Sequence, residues 1–466
     1  MAPSNPNRIA VLGGGICGLS AAFRLSRALP GGEIHVFDAS PICGGVIGTL
    51  RRGDLLLETG PLAFPVRAPV TAELLSAAGH ANLGKPAHPP GPPGLWNGDR
   101  IVPLARAPLG ILRSRLLSAR CLLRLAAEPF IPPSRSEDES VRDFFRRRTG
   151  IGFLDAVMEP LCSAIQAGDP ASLGMEANFP ALRAWERAPG RMAWGLCKQE
   201  WNRRRRSDPP MILAGGPEGN GPIIQALVEA LRKTGVRFRL GHPVDKVDPT
   251  GVGGILIGAG GTAETFDACV SCLRPADLLG AYPSAPPEVR EFLDGVPFAS
   301  VSLAYLVADA VSPRKGFQGA HCLFSASSGV GALSLSLPSR MQPGRCAPGR
   351  ELVRVSMGGM RDPGLAGRPD SDLRSLALDA AARVLGASRM SGGFHLIRQN
   401  GSLPQLGVGH PRRLARARER LAREAPCFIL SGTGTVGAGI EKAAAEGKRA
   451  ASDLAERIGR LQPRPS

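Results

Sequence analysis

An α/β protein whose parallel sheet is collected from both ends of the chain is the fold class that this 466-residue sequence predicts. Three observations predict it. Residues 8–38 read strand, glycine-rich turn, helix, strand. Residues 427–440 repeat the strand and the glycine-rich turn and run into a long helix. Between them a helical stretch, Ile223 to Leu231, leads into a strand, Val236 to Leu240.

The first unit is complete. Arg8-Ile-Ala-Val-Leu12 is a short apolar strand, Gly13-Gly14-Gly15-Ile16-Cys17-Gly18 follows, Leu19 to Leu29 makes a helix, and Glu33-Ile-His-Val-Phe-Asp38 ends the second strand on an acid. Gly13 permits the tight turn, Gly15 lets backbone approach a pyrophosphate, and Gly18 lets helix pack on strand. Ile16 and Cys17 lie in the first helical turn, whose free N–H groups and positive dipole end suit phosphate. Asp38, about twenty residues beyond the last glycine, is placed with Ala39 to meet the ribose. This is a Rossmann-like adenine-dinucleotide site.

Two further segments choose FAD over NAD. Gly44-Gly45, just past the second strand, offers a second backbone surface for phosphate and ribityl, and Glu58-Thr59-Gly60-Pro61 follows. Near the C-terminus Cys427-Phe-Ile-Leu-Ser431 leads into Gly432-Thr-Gly434-Thr-Val-Gly437-Ala438-Gly-Ile440. That turn also spells GxGxxG, but no second strand and acid follow it. It reads as a helix start facing the flavin, its dipole set to stabilise negative charge on the reduced ring; a plain helix start is the other reading.

Composition bounds the rest. Lysine and arginine outnumber the acids, 57 to 40, for a net charge of +17. A basic surface suits nucleic acid, anionic lipid or a polycarboxylate substrate. No zinc-finger spacing or aromatic-interleaved basic motif supports nucleic acid. Arg146-Arg147-Arg148 and Arg203 to Arg206 read as solvated faces and loops. The ten cysteines show no disulfide spacing, and the first residues lack a signal-peptide pattern, so reduced thiols and a cytoplasmic location are expected. No apolar run reaches the roughly 18 residues that span a bilayer. Cys269-Val-Ser-Cys272 has redox or zinc spacing, yet no second ligand pair lies near it; it reads as buried structural thiols, and no metal site is expected.

With these motifs the chain resembles the protoporphyrinogen oxidase family within the flavin amine oxidase superfamily. The resemblance runs nearly end to end, through Gly13 to Leu19, Gly44-Gly45, Glu58 to Pro61, Glu139 to Arg148, Glu159 to Asp169, Leu173-Gly-Met175, Phe179 to Leu182, His242-Pro-Val244, Phe298 to Tyr305, Met357-Gly-Gly359, Pro404-Gln405 and Gly409-His410. It implies a discontinuous FAD domain (1–84, 206–275 and 421–466), a mainly antiparallel-sheet substrate domain (276–420) and a helical insertion (85–205) that docks on membranes and covers the substrate. The stretch Leu104 to Glu128, apolar with Arg106, Arg113, Arg120 and Arg124 at helical spacing, suits a helix lying in an anionic interface, and equally a helix packed on its own domain with arginines outward. The resemblance makes Gly60, Pro61, Gly432, Gly437, Ala438 and Ile440 flavin contacts and Val244 a backbone contact to adenine.

It also implies the reaction: six electrons leave protoporphyrinogen IX in three two-electron steps, each a hydride to flavin N5, with oxygen or a quinone as final acceptor. No catalytic acid or base is implied. The substrate side departs from the family. An arginine that pairs with a propionate in the family matches Pro92-Pro93 here, leaving Arg100 as its substitute. A glycine whose carbonyl faces the macrocycle matches Ala164, and a large apolar residue matches Ser356; Leu323 and Ser334 are the remaining substrate positions. Glu441-Lys-Ala443 stands where the family has an acid followed by Cys-Ile. Losing a charge-assisted pair costs roughly 1.5–3 kcal/mol. Coproporphyrinogen III, whose four propionates suit the basic composition, is a second substrate reading, and the altered substrate positions motivate a third, a diverged paralogue that binds FAD or porphyrin without turnover. An unrelated apolar amine or carotenoid-like substrate fits the 139–182 segment less well. The expected partners are the porphyrinogen, the electron acceptor, an anionic membrane surface and a second copy of the chain.

Overall fold

The computed structural model describes residues 7–83, 91–104, 116–188, 212–249, 254–309, 319–386 and 392–461, with the single positions 195, 201, 317 and 390. Five strands pair in parallel in the order Phe428–Leu430, Ala268–Ser271, Arg8–Leu12, Glu33–Asp38, Arg237–Leu240. The first strand of the chain is thus central and the last sits at an edge. Ile9, Ala10, Val11 and Leu12 are all fully buried because both faces of the sheet are covered. On one face Ile9, Val11 and Val36 pack against helices Ile16–Ala28, Asn220–Lys233 and Ile440–Leu461. On the other, Ala10, Leu12 and Phe37 meet the antiparallel meander Val244–Asp248, Ile255–Ala259, Thr262–Phe266 and helices Pro275–Ala281, Pro287–Asp294 and His410–Glu424.

A second sheet has seven strands, in the order His395–Pro404, Phe298–Asp309, Arg350–Gly358, Ser334–Ser336, His321–Phe324, Gly94–Trp96, Ile101–Pro103. All its pairings are antiparallel except that of Gly94–Trp96 with His321–Phe324. Helix Asp370–Leu385 buries one face through Leu373, Ala377, Ala381 and Val384. The opposite face meets the hairpin Thr49–Arg52 and Leu55–Glu58 and the helical segment.

Three placements differ from the sequence expectation. Residues 94–103 lie inside the stretch assigned to the insertion, yet they form the edge hairpin of the seven-stranded sheet. Helices Pro275–Ala281, Pro287–Asp294 and His410–Glu424, which fall mostly in the 276–420 stretch assigned to the substrate domain, cover the back of the parallel sheet instead. The C-terminal strand does not run directly into its long helix. A one-turn helix, Thr433–Val436, intervenes, because Gly437 (φ +85°) and Gly439 (φ +135°) break the helical path before Ile440.

The helical segment packs Ala119–Ala126, Val141–Arg148, Glu159–Gln166 and Met175–Asn178 around Phe144, Phe145, Val157 and Leu173. The triple arginine is not simply a solvated face. Arg146 is exposed, but Arg148 is fully buried and paired with buried Glu128, while Arg147 binds Glu139 and Glu186. Burial of that cation is tolerable because a carboxylate is buried with it. Arg106, Arg113 and Arg203 to Arg206 lie outside the described residues. Among the described residues no helix is long and apolar enough to cross a membrane.

Candidate active site

The glycine loop is built as a close approach of helix to strand. Gly13 takes φ +98°, and its N–H donates to the Phe37 carbonyl at 2.8 Å. A Cβ on Gly18 would stand closer than 3.0 Å to the Gly13 carbonyl oxygen, so only glycine lets the helix start here. Gly15 is the opposite case: a Cβ there would meet nothing within 4 Å. Gly15 pairs laterally with Gly44, whose N–H donates to the Gly14 carbonyl at 2.9 Å. Two backbone strips therefore lie side by side at the helix N-terminus, with open space beside Gly15 into which a pyrophosphate fits.

Asp38 does more than its expected task. Its Oδ2 accepts from Gly14 N at 2.6 Å and its Oδ1 from Ser40 N at 2.8 Å, so it clasps the glycine loop from below. Each oxygen keeps a lone pair for a ribose hydroxyl. Gly241 N donates to Ser40 O and His242 N to Asp38 O. This lacing ties the turn that precedes Val244, first residue of its strand, to Asp38 and Ser40 on either side of exposed Ala39.

The segment after the hairpin is held by all four of its carbonyls. Tyr305 Oη donates to Glu58 O at 2.7 Å, Gln399 Nε2 to Thr59 O at 2.8 Å, Arg354 Nη1 to Gly60 O at 2.6 Å, and Asn220 Nδ2 to Pro61 O at 2.9 Å. Three donors come from the seven-stranded sheet, so this segment locks that sheet to the parallel one. Below it Glu58 is 1% exposed and ion-paired with Arg345, 2% exposed, at 2.9 Å. Burial raises the Glu58 pKa, and the Arg345 guanidinium opposes that rise.

The C-terminal turn completes the frame. Ser431 N donates to Ser271 O, and the Gly432 carbonyl accepts from both the N–H and the hydroxyl of Thr435. Buried His410 donates through Nε2 to the Thr435 carbonyl at 3.1 Å, and burial keeps its pKa low, so it serves as a neutral prop. Gly437, Ala438 and Ile440 then carry the chain to the long helix. Glu441, where the family pattern changes, accepts from Val70 N, Thr71 N and Thr71 Oγ1 and so caps helix Pro69–Ala77.

Four of the five expected substrate residues come together. Strand pairing sets Leu323 opposite Ser334 and Ser334 opposite Ser356. Ala164, on helix Glu159–Gln166, packs in one cluster with Leu323, Leu95, Leu104 and Leu161. Arg100 does not join them; it is exposed at the tip of the edge hairpin, hydrogen-bonded to Asn97. The sheet supplies a different cation. Strand alternation puts Arg354 on the same face as Ser356, in a rung with Ser336, His321 and Tyr305. His321 bonds Ser336 Oγ through Nδ1 at 3.0 Å, and burial, then Arg354, lowers its pKa to about 4, so it is neutral near pH 7. The sequence signal for Arg354 was its two-residue offset from Ser356; the pairing that makes it part of a wall is non-local.

Known proteins resemble this chain along most of its length. The model of the family "Flavin containing amine oxidoreductase" matches residues 16–455. The coproporphyrinogen III oxidase of Bacillus subtilis (strain 168) is 25% identical over 96% of this chain and 97% of its own. The chloroplastic protoporphyrinogen oxidase 1 of Spinacia oleracea is 31% identical over 81% of this chain and 72% of its own. A crystal structure from Exiguobacterium sp. 255-15, described as a candidate protoporphyrinogen oxidase, superposes with a TM-score of 0.80 at 20% identity, covering 97% of this chain and 99% of that one. A glycine loop open at Gly15, a second backbone strip at Gly44-Gly45 and a family match that spans both sheets together make this chain an FAD-dependent oxidoreductase of the flavin-containing amine oxidoreductase family.

Proposed function

We propose that the chain oxidises a porphyrinogen, with protoporphyrinogen IX to protoporphyrin IX as the first reading. The observation that carries this is the wall made by Leu323, Ser334, Ser356 and Ala164, with Arg354 one rung away and bonded to the Gly60 carbonyl. Relatives named as porphyrinogen oxidases support it. When bound, FAD supplies the two-electron acceptor that carbon–hydrogen oxidation needs. The chain's part is to hold and orient. Ala164 and Leu161, backed by buried Leu95, Leu104 and Leu323, would give the macrocycle an apolar flank. Arg354 gives that surface a cation for a carboxylate. Neutral His321 contributes a hydrogen bond to Ser336 and no proton. Oxygen or a quinone then takes the electrons.

Coproporphyrinogen III is the second reading, favoured by the match to the Bacillus subtilis enzyme along 97% of its length and by the net charge of +17, which suits four carboxylates. The test is anaerobic mixing of the yellow holoenzyme with protoporphyrinogen IX, coproporphyrinogen III and the tetramethyl ester of the latter, following flavin bleaching. We expect a free-acid porphyrinogen to bleach the flavin, and the ester to need about ten to a hundred times the concentration, as loss of a charge-assisted pair implies. Binding of both free acids without bleaching would sink the reading and leave a non-catalytic carrier.

We also propose that the helical segment rests on an anionic membrane surface. Leu123, Phe130, Ile151 and Ile165 are 73%, 85%, 54% and 64% exposed there, with exposed Arg120 on helix Ala119–Ala126, while Arg124 turns inward to the Arg147 carbonyl. Co-flotation with phosphatidylglycerol vesicles but not with phosphatidylcholine vesicles is the expected result; flotation with neither ends the proposal.

A further inference from the structure

A helix start and the ends of two strands of the parallel sheet meet under the glycine loop, and each brings a sulfur or a hydroxyl to the same point. Cys17, second residue of helix Ile16–Ala28, is buried at 4% exposure. Cys272 follows strand Ala268–Ser271 and is half-buried. Ser431 follows strand Phe428–Leu430. The Cys272 thiol donates to Cys17 Sγ at 3.4 Å, and Ser431 Oγ lies 3.5 Å from the same sulfur. The two cysteines are 255 positions apart, so only the fold brings them together. Backbone fixes the site as firmly as the side chains do. Cys272 N donates to Leu12 O at 2.7 Å, and the Cys272 carbonyl sits 3.1 Å and 3.2 Å from where Cβ atoms on Gly13 and Gly432 would stand.

We propose that Cys17 and Cys272 are a redox-active dithiol, converted by a peroxide to a disulfide that staples the N-terminal and middle parts of the FAD domain beneath the phosphate loop. Cys17 is the attacking sulfur. It sits in the first turn of a thirteen-residue helix, with the Cys272 thiol and the Ser431 hydroxyl both set against its sulfur. The Cys272 hydrogen bond, then that of Ser431, holds its pKa below the ordinary thiol value, while Cys272 is raised well above it. The Cys17 sulfur attacks one peroxide oxygen and the O–O bond breaks, giving a sulfenic acid and a hydroxide that takes up a proton to become water. The Cys272 sulfur then attacks Cys17 Sγ; the S–S bond forms, the S–O bond breaks, and a second water leaves with the Cys272 proton. Two thiols and one peroxide thus yield one disulfide and two waters, a two-electron oxidation. Cys269 takes no part: it is fully buried in the sheet, and burial alone pushes its thiol far up. The inference is independent of which substrate the flavin oxidises.

The test is titration of the full-length holoprotein with hydrogen peroxide, followed by peptide mapping under non-reducing conditions. The expected product is a Cys17–Cys272 cross-linked peptide that dithiothreitol removes. Cys272→Ser should abolish the cross-link and leave a dimedone-reactive sulfenic acid on Cys17, and Cys269→Ser should leave the cross-link intact. Consumption of Cys346 or Cys427 while Cys17 and Cys272 remain free thiols would overturn the proposal, as would over-oxidation of Cys17 beside an untouched Cys272.

Discussion

Gly18→Ala is expected to yield a colourless protein that has lost its flavin yet kept its secondary structure. Position 18 lies inside helix Ile16–Ala28, where alanine is intrinsically favoured over glycine by about 1 kcal/mol. The methyl group, however, would stand on the Gly13 carbonyl oxygen, backbone against backbone, with no side chain free to yield. The helix must therefore move off the strand, and its N-terminus moves away from the pyrophosphate. Each charge-assisted hydrogen bond to the phosphates that is then lost costs roughly 1.5–3 kcal/mol, so losing more than one weakens FAD by about a hundredfold or more. Gly15→Ala separates the causes. No protein atom lies within 4 Å of its added methyl, so the apoprotein should melt like wild type, while the methyl fills the space the pyrophosphate needs. Far-UV circular dichroism, apoprotein melting and flavin content after purification measure all three quantities. Stoichiometric flavin in purified Gly18→Ala would refute this account of the loop.

The contrast between these two glycines shows what the sequence made legible. Gly13, Gly15, Gly18 and Asp38 occur within one local unit, and their tasks follow from spacing along about thirty residues. Asp38 was legible as an acid at the right distance, but its grip on Gly14 N and Ser40 N depends on how the loop folds back. The C-terminal turn was legible as a glycine-rich passage from strand to helix, whereas the one-turn helix Thr433–Val436 was not, because Gly432, Gly434, Gly437 and Gly439 allow several paths. The residues proposed as the substrate wall were legible only through family resemblance. Leu323, Ser334 and Ser356 become neighbours by strand pairing, and no local pattern states which strands pair. Arg148 fails for the same reason: its counter-charge, Glu128, comes from another turn of the chain. The charge run looked solvated because the sequence shows the cation and hides the partner.

Glu58 and Arg345 combine both lessons, and removing the arginine should be the most destabilising single change in the frame of the site. Arg345→Met is expected to lower stability by about 3–5 kcal/mol near neutral pH, the usual cost of leaving one member of a buried pair uncompensated. At about 1 kcal/mol per degree for a chain of this size, flavin release on heating should move down by about 3–5 °C. The strand Leu55–Glu58 leads straight into Gly60-Pro61, so flavin release reports the damage where it occurs. The pH dependence has a definite sign. Burial already raises the Glu58 pKa above its ordinary 4.5, and the Arg345 guanidinium holds it down more than the hydrogen bonds from Thr49 and Asn220 do. Without that guanidinium the folded-state pKa rises further, so the folded protein keeps a proton that the unfolded chain has lost. The variant's deficit should therefore be small at and below pH 4.5 and should widen as pH rises through the folded-state pKa. Adding Glu58→Gln to Arg345→Met removes the stranded charge, leaves the Thr49 hydroxyl and Asn220 N–H an amide to meet, and should restore part of the loss while flattening the pH dependence. A deficit for Arg345→Met that stayed constant from pH 5 to pH 8 would show that the arginine matters for its bond to the Gly216 carbonyl and not for the charge on Glu58.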